Sequence, residues 1–146
     1  MRYLLDTCLF LDWITDDYIS PDIQSILADY DNTLYLSSES IKEYVNLVQQ
    51  GKVSLQPEYK DKGIDIFDLI ENTFGITIKY VTKEHLQKML QLPNVEGHTD
   101  PSDRLIIAQA ITEGLTLLSS DGQFPKYKKL NIGLDLIENK RPSRKY

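Results

Sequence analysis

Residues 100–121 constrain this chain more than any other stretch. Asp100-Pro101 opens a helix: an acid at the N-cap satisfies orphan N–H groups, and proline at the first helical position gives up a donor that has no partner there. Leu105, Ile106, Ala108 and residues 109–111 then carry a wide apolar face that must be buried, and Gly114 stops the helix. Leu115-Thr116-Leu117-Leu118 is too short for another helix and reads as a buried strand whose C-terminal end delivers Asp121. One helix-to-strand unit therefore carries acid at both of its relevant corners.

The remaining chain repeats that alternation. Residues 2–5 form an apolar strand ending in Asp6-Thr7, and Leu9, Phe10, Trp13 and Ile14 follow at helical spacing. Ser20-Pro21 starts a helix with Ile23, Ile26, Leu27 and Tyr30 as its buried stripe, and a second strand covers 33–36. Ser37-Ser38-Glu39 opens the next helix, with Ile41, Tyr44, Val45 and Val48 inside and Gly51 at its end. A polar connection over 52–62, a helix over 64–74, a strand over 76–81 and a Thr82-capped helix with Leu86, Met89 and Leu90 inside lead to a loop over 93–99. After Asp121 come Phe124, Tyr127, a weak strand within 130–137 and a basic tail that is expected to fray.

Strands that alternate with helices need crossover connections, so the expectation is an α/β fold: a parallel sheet of about five strands with helices on both faces. Residues 1–139 form one domain and 140–146 a basic C-terminal tail. In such sheets ligands bind outside the carboxyl ends of the strands. Asp6 and Asp121 directly follow strands, Asp103 lies in the first turn of the helix before the later strand, and Glu43 lies on the helix after the second strand. All four converge on one sheet edge.

Each acid also has a structural reading. Asp100 and Asp103 sit where a helix N-terminus favours acid, Asp6 can cap the helix after it, Asp121 before Gly122 can be a turn residue, and Glu43 can be an exposed or salt-bridged helix residue. Four carboxylates in one place would raise one another's pKa values unless cations hold them. The single cysteine, Cys8, and two histidines, His85 and His98, are too few for a usual zinc site, which leaves a hard ion, Mg²⁺ or Mn²⁺, held by oxygen. The balance of 22 acidic to 16 basic residues, a formal charge of −6, argues against nucleic-acid binding by charge alone, although cations bound among the acids would change the field a phosphate meets. No run of eighteen apolar residues is present and the chain opens directly on a strand pattern, so no membrane span and a cytoplasmic location are expected.

These residues resemble the PIN-domain ribonucleases, in particular the toxin subunits of VapBC-type toxin-antitoxin pairs. The family's opening strand and acid stand here as Tyr3-Leu4-Leu5-Asp6-Thr7, and its second acid as Ser37-Ser38-Glu39-Ser40-Ile41-Lys42-Glu43. Its third stands in Asp100-Pro101-Ser102-Asp103-Arg104, where Ser102 replaces the usual aromatic, and its fourth in Leu118-Ser119-Ser120-Asp121. The resemblance implies cleavage of single-stranded RNA by one or two Mg²⁺ or Mn²⁺ ions held by Asp6, Glu43, Asp103 and Asp121. It also implies a small antitoxin protein as partner and, often, a homodimer. Thr7 and Asp100 are accessory candidates; Arg104 and the tail residues Lys140, Arg141, Arg144 and Lys145 are candidates for holding the RNA backbone.

Other side chains carry weaker signals. His98 stands just before the acidic stretch, within reach of a substrate phosphate, though a lone loop histidine is commonly incidental. His85 reads as surface and Cys8 as a small buried residue with no activating base, while Trp13 and the nine tyrosines can stack bases but fall mostly at core spacing. A phosphoryl-transfer enzyme working through an aspartyl intermediate would want a second Asp where Cys8 stands. A receiver-like Mg²⁺-binding regulatory domain would want neighbouring acids after the first strand and a lysine after a late one. A PIN-like interaction module that no longer cleaves is the remaining alternative.

Overall fold

In the computed structural model, which describes residues 1–53, 65–98 and 100–142, five parallel strands form one sheet in the order β3-β2-β1-β4-β5. They are β1 (Arg2–Leu5), β2 (Thr33–Ser37), β3 (Ile76–Lys79), β4 (Thr116–Ser119) and β5 (Asp135–Glu138). The helices are α1 (Thr7–Ile14), α2 (Pro21–Ala28), α3 (Ser38–Gln49), α4 (Ile66–Asp68) continued by a π-helical turn (Leu69–Thr73), α5 (Lys83–Gln91), α6 (Pro101–Glu113) and a short α7 (Pro125–Lys128) that the sequence reading lacked. Residues 54–64, Arg144 and Lys145 lie outside the described residues, as does most of the expected polar connection. No helix among the described residues is long and apolar enough to cross a membrane.

Both faces of the sheet are covered, and the alternation of side chains explains why the strands read as unbroken apolar runs. Tyr3, Leu5, Leu36 and Leu118 point into a core with Phe10 of α1, Ile23 of α2, Tyr44 of α3 and Ile70 of the π turn. Leu4, Leu117 and Leu136 point into a second core with Ile106, Ile107 and Ala110 of α6 and with Phe124 and Tyr127. Each fully buried Leu, Ile or Phe contributes on the order of 2 kcal/mol through burial. Helix α6 is buried from Leu105 through Ala110, and Gly114, in the left-handed region at φ 64°, ends it.

Register decides where the acids go. Leu5 of β1 pairs with Leu36 of β2 and with Leu118 of β4, so these three strands end level with one another. The Asp6 N–H extends the ladder by one bond, donating to Leu118 O at 2.9 Å. The next residues, Asp6, Ser37 and Ser119, form a row along the carboxyl edge.

Several expected burial patterns are corrected. Helix α5 is turned so that Leu86 and Leu90, expected inside, are 52% and 88% exposed, while His85, expected at the surface, is fully buried. A polar web holds that histidine: Nδ1 accepts from the Thr82 N–H at 3.0 Å, and Nε2 lies 2.8 Å from Glu113 Oε1 of α6. Helix packing against α6 thus follows a satisfied histidine and not the leucine stripe. Tyr30 lies past the end of α2 and is fully exposed, and Val45 and Val48 sit beside the buried face of α3, which runs through Ser40, Ile41 and Tyr44. Strand β3 stops at Lys79, two residues short of the expected 76–81, and Ile64 of the expected helix 64–74 is outside the described residues. Cys8, expected to be buried, is exposed. Trp13 is half-buried and meets Phe74 edge to face, with centroids 5.0 Å apart.

Candidate metal centre

Asp6 is both cap and cluster member. Its side chain accepts from the Leu9 N–H of α1 at 2.7 Å and from the Ser119 hydroxyl at 2.5 Å, and it is 1% exposed. Burial outweighs these hydrogen bonds and pushes its pKa up to about 7, with the charge of Asp103 adding to the rise. The same Ser119 oxygen accepts from the Asp121 N–H at 2.9 Å, so one hydroxyl ties the acid after β1 to the acid after β4. Asp121 in turn accepts from the Gln123 N–H at 2.8 Å, which is the turn role open to it from sequence.

Glu43 enters from the second turn of α3. The Thr7 hydroxyl lies 2.8 Å from Ser40 Oγ and 3.2 Å from Glu43 Oε1, linking α1 to α3 beside the cluster. Burial first, then the charge of Asp103, raises the Glu43 pKa to about 7. Asp103, held in the first turn of α6, is raised to about 6, by burial first and against the hydrogen bond from His98, with Asp100 and Asp121 adding to the rise. Asp103 is therefore the hub: its charge is felt by Asp6 and Glu43, and it feels Asp121.

Cys8 stands at the rim of the same field. Although the residue is exposed, atoms crowding the thiol, together with Asp6, Asp121, Asp103 and Asp12, push its pKa up to about 12, which leaves it without thiolate character near neutrality.

The supporting candidates divide. Asp100 caps α6, accepting from the N–H groups of Ser102 and Asp103 at 2.9 and 3.2 Å. Ser102 adds a bond of 2.8 Å to Glu39 Oε1, fastening the start of α6 to α3. The Arg104 guanidinium is committed to the carbonyls of Pro93 (3.0 Å) and Leu92 (3.2 Å) and to the Tyr127 hydroxyl (3.3 Å). Arg141, in the tail expected to fray, donates to Asp17 at 3.0 Å and Asp12 at 3.3 Å, fastening that segment to α1 and the turn after it. Lys140 is exposed beside Glu138 at 3.7 Å.

Ser119 is not singled out as a site residue from sequence, and His98, read there as within reach of a substrate phosphate but commonly incidental, instead contacts Asp103. His98 is 6% exposed; its Nε2 lies 3.1 Å from Asp103 Oδ2 and its Nδ1 2.5 Å from the Tyr127 hydroxyl. One donor atom each from His98, Asp103 and Asp121 lie within 4.8 Å of one another. A Ser two residues before Asp121 was a visible cue for Ser119; the position of His98 just before the acidic stretch was visible too, but not its bond to Tyr127.

Among the described residues, no Lys or Arg is ion-paired with Asp6, Glu43, Asp103 or Asp121. A buried Asp6 and part-buried Glu43 and Asp103, all with raised pKa values, beside Asp121 and without a Lys or Arg partner among the described residues, are a donor set suited to a divalent cation, which replaces the missing positive charge and is satisfied by oxygen.

Comparison with known proteins agrees with this fold. The fold is similar to that in the structure of VapBC2 from Rickettsia felis bound to a DNA fragment from their promoter, with 22% identity, a TM-score of 0.65, and 94% of this chain and 98% of that one covered. It is also similar to FitAcB from Neisseria gonorrhoeae (19%, 0.58, covering 93% and 96%) and to VapBC-1 from nontypeable Haemophilus influenzae (15%, 0.56, covering 94% and 98%). No curated protein matches the chain by sequence. Residues 3–130 match the family model of the PIN domain, a span that contains every strand but the last and all four acids, and the chain belongs to the PIN domain family.

Proposed function

We propose that the chain is a divalent-metal-dependent endoribonuclease that cleaves single-stranded RNA and acts as the toxin of a toxin-antitoxin pair. The observation that carries this reading is the gathering of Asp6, Glu43 and Asp121 around Asp103 at the carboxyl edge of the sheet, with no Lys or Arg among the described residues ion-paired to them. PIN domains are generally nucleases, and the similar folds above come from structures named VapBC2, VapBC-1 and FitAcB, which supports a VapC-like reading.

The four acids would hold Mg²⁺ or Mn²⁺, which when bound supplies Lewis acidity for activating water and neutralising a leaving oxygen. The chain's own groups hold the acids in place. Ser119 and the Leu9 N–H fix both oxygens of Asp6, Thr7 fixes Glu43, and His98 fixes Asp103. The Leu9 and His98 bonds are local, 3 and 5 positions apart, and the Thr7 and Ser119 bonds span 36 and 113 positions; together they orient Asp6, Glu43 and Asp103 before substrate arrives, which is where such a site gains rate. Full burial of Asp6 keeps water off the inner wall.

Purified protein incubated with RNA and Mn²⁺ or Mg²⁺ should cleave it, and Asp6→Asn and Glu43→Gln should each lose activity by roughly 100-fold or more. Equal cleavage by the wild type and both variants would mean that a contaminant does the cutting. Co-expression with a small antitoxin encoded beside this chain should give a complex that survives gel filtration, and separate elution at micromolar concentration would count against that partner.

A further inference from the structure

The acids alone suggest an all-oxygen site, but the geometry around His98 does not stop at oxygen. The imidazole is fixed from every side. The His98 N–H closes a turn onto Val95 O at 3.1 Å, and Gly97, at φ 80°, supplies the left-handed backbone that this turn requires. Arg104 grips the carbonyls of Leu92 and Pro93 at the start of the same loop. Phe124 and Tyr127 pack edge to face on the ring, with centroids 6.1 and 5.2 Å away. The ring therefore presents Nε2 to Asp103 in one orientation.

That presentation has the dimensions of a coordination edge. Adjacent ligands of an octahedral ion with bonds of about 2.1 Å stand about 3 Å apart, and His98 Nε2 already lies 3.1 Å from Asp103 Oδ2. An Asp121 oxygen completes a face within 4.8 Å of both, a gap that side-chain rotation can close. Metal-bound histidines commonly give their other ring nitrogen to a fixed hydrogen-bond partner, and here that partner is the Tyr127 hydroxyl at Nδ1. A hydroxyl both donates and accepts. With Nε2–H donating to Asp103, Nδ1 accepts from Tyr127; with the hydrogen on Nδ1, Tyr127 accepts it and the Nε2 lone pair is free for an ion.

We propose that His98 is a nitrogen ligand of the metal site beside Asp103 and Asp121, and that it biases the site toward Mn²⁺ and its transition-metal neighbours over Mg²⁺. This rests on the reading that the acidic cluster holds a divalent ion. The bias follows from ligand chemistry: imidazole suits Fe²⁺, Ni²⁺ and Zn²⁺ best, and Mn²⁺, though also at home among oxygens, takes a nitrogen ligand more readily than Mg²⁺, which demands oxygen and keeps its water. A histidine that only orients Asp103 through a hydrogen bond would leave the preference to the carboxylates.

The test uses Mn²⁺ as probe. Purified protein is titrated with Mn²⁺ under electron paramagnetic resonance, and the bound ion is interrogated by pulsed methods for coupling to ¹⁴N, with Mg²⁺ affinity measured by competition. The wild type should show directly coordinated nitrogen. His98→Asn should lose that coupling and weaken Mn²⁺ binding by roughly 10- to 100-fold, the range over which changes around a metal site act, while Mg²⁺ binding changes by less than about 3-fold. Bound Mn²⁺ in the wild type with no nitrogen coupling overturns the assignment while leaving the metal-site reading intact, and so does an equal loss of Mn²⁺ and Mg²⁺ affinity in the variant. A wild type that binds no Mn²⁺ overturns both. Because the wild-type spectrum decides by itself, a poorly folding variant does not remove the test.

Discussion

Replacing Asp6 with asparagine separates a shared acidic pocket from a set of independent helix caps. The carboxyl is buried and its pKa stands at about 7 against an ordinary 3.8. Below pH 4 it is protonated in both the folded and unfolded chain and costs nothing through charge. As pH rises, the unfolded chain ionises first, and stability is lost until the native group also ionises near pH 7. At roughly 1.4 kcal/mol per pKa unit the full cost is on the order of 4 kcal/mol at pH 8, and between 1 and 2 kcal/mol at about pH 5. Asparagine removes that cost and keeps an oxygen for the Leu9 N–H, but puts an amide where the Ser119 hydroxyl is bound, a loss of roughly 1–2 kcal/mol that is present at both pH values. In chelator, Asp6→Asn should therefore be close to wild type at pH 5 and more stable by roughly 2 kcal/mol at pH 8, a Tm rise of roughly 4–8 °C for a chain of this size. Millimolar Mg²⁺ should reverse the order, because mass action adds roughly 3 kcal/mol at 100 times Kd to the protein that binds it. The assay is thermal unfolding in chelator and in Mg²⁺ at both pH values. A variant no more stable than wild type in chelator at pH 8, or an equal Mg²⁺ shift in both proteins, would refute the shared pocket.

The buried His85 should behave as a structural residue: His85→Ala leaves the Thr82 N–H and Glu113 without their partner and should cost roughly 2–3 kcal/mol in urea unfolding, with no effect on metal affinity. Deleting residues 140–146 should weaken RNA binding and flatten its salt dependence by less than the four cations would give, because Arg141 is already engaged by Asp12 and Asp17; an unchanged salt slope would remove the tail from the interface.

How much of this was legible in the sequence depends on the range of the interaction. The strands and most helix starts follow from local chemistry: Ser20-Pro21, Asp100-Pro101, Ser37 and Thr82 cap where their side chains dictate, and doubly buried strands read as short apolar runs. The capping and site readings of Asp6 are compatible in one carboxylate, since one oxygen caps α1 and the other, bound to Ser119, stays beside the other acids. Helix α5 was misread because Leu86, Met89 and Leu90 have core spacing, and only Glu113, far along the chain, reveals that His85 owns the inner face. The fixed orientation of His98 was hidden for the same reason, since Tyr127 lies 29 residues away. Pattern reports what a helix can bury; a polar partner from another element decides what it does bury.

The order of the strands has a consequence for the chain's own synthesis. Strand β1 can take β2 as a neighbour once the first 37 residues have emerged, but its other neighbour, β4, is made of residues 116–119, and Asp6 waits for Ser119 across 113 positions. Contacts at that separation form late, after loop closure has been overcome. While the last strands are still within the ribosome, Asp6 and Glu43 stand without Asp103 and Asp121 in place. If the proposed activity holds, this topology keeps the cutting edge unassembled until residues 103–121 have left the ribosome, so the earlier part of the chain carries an incomplete acid set while it is being made.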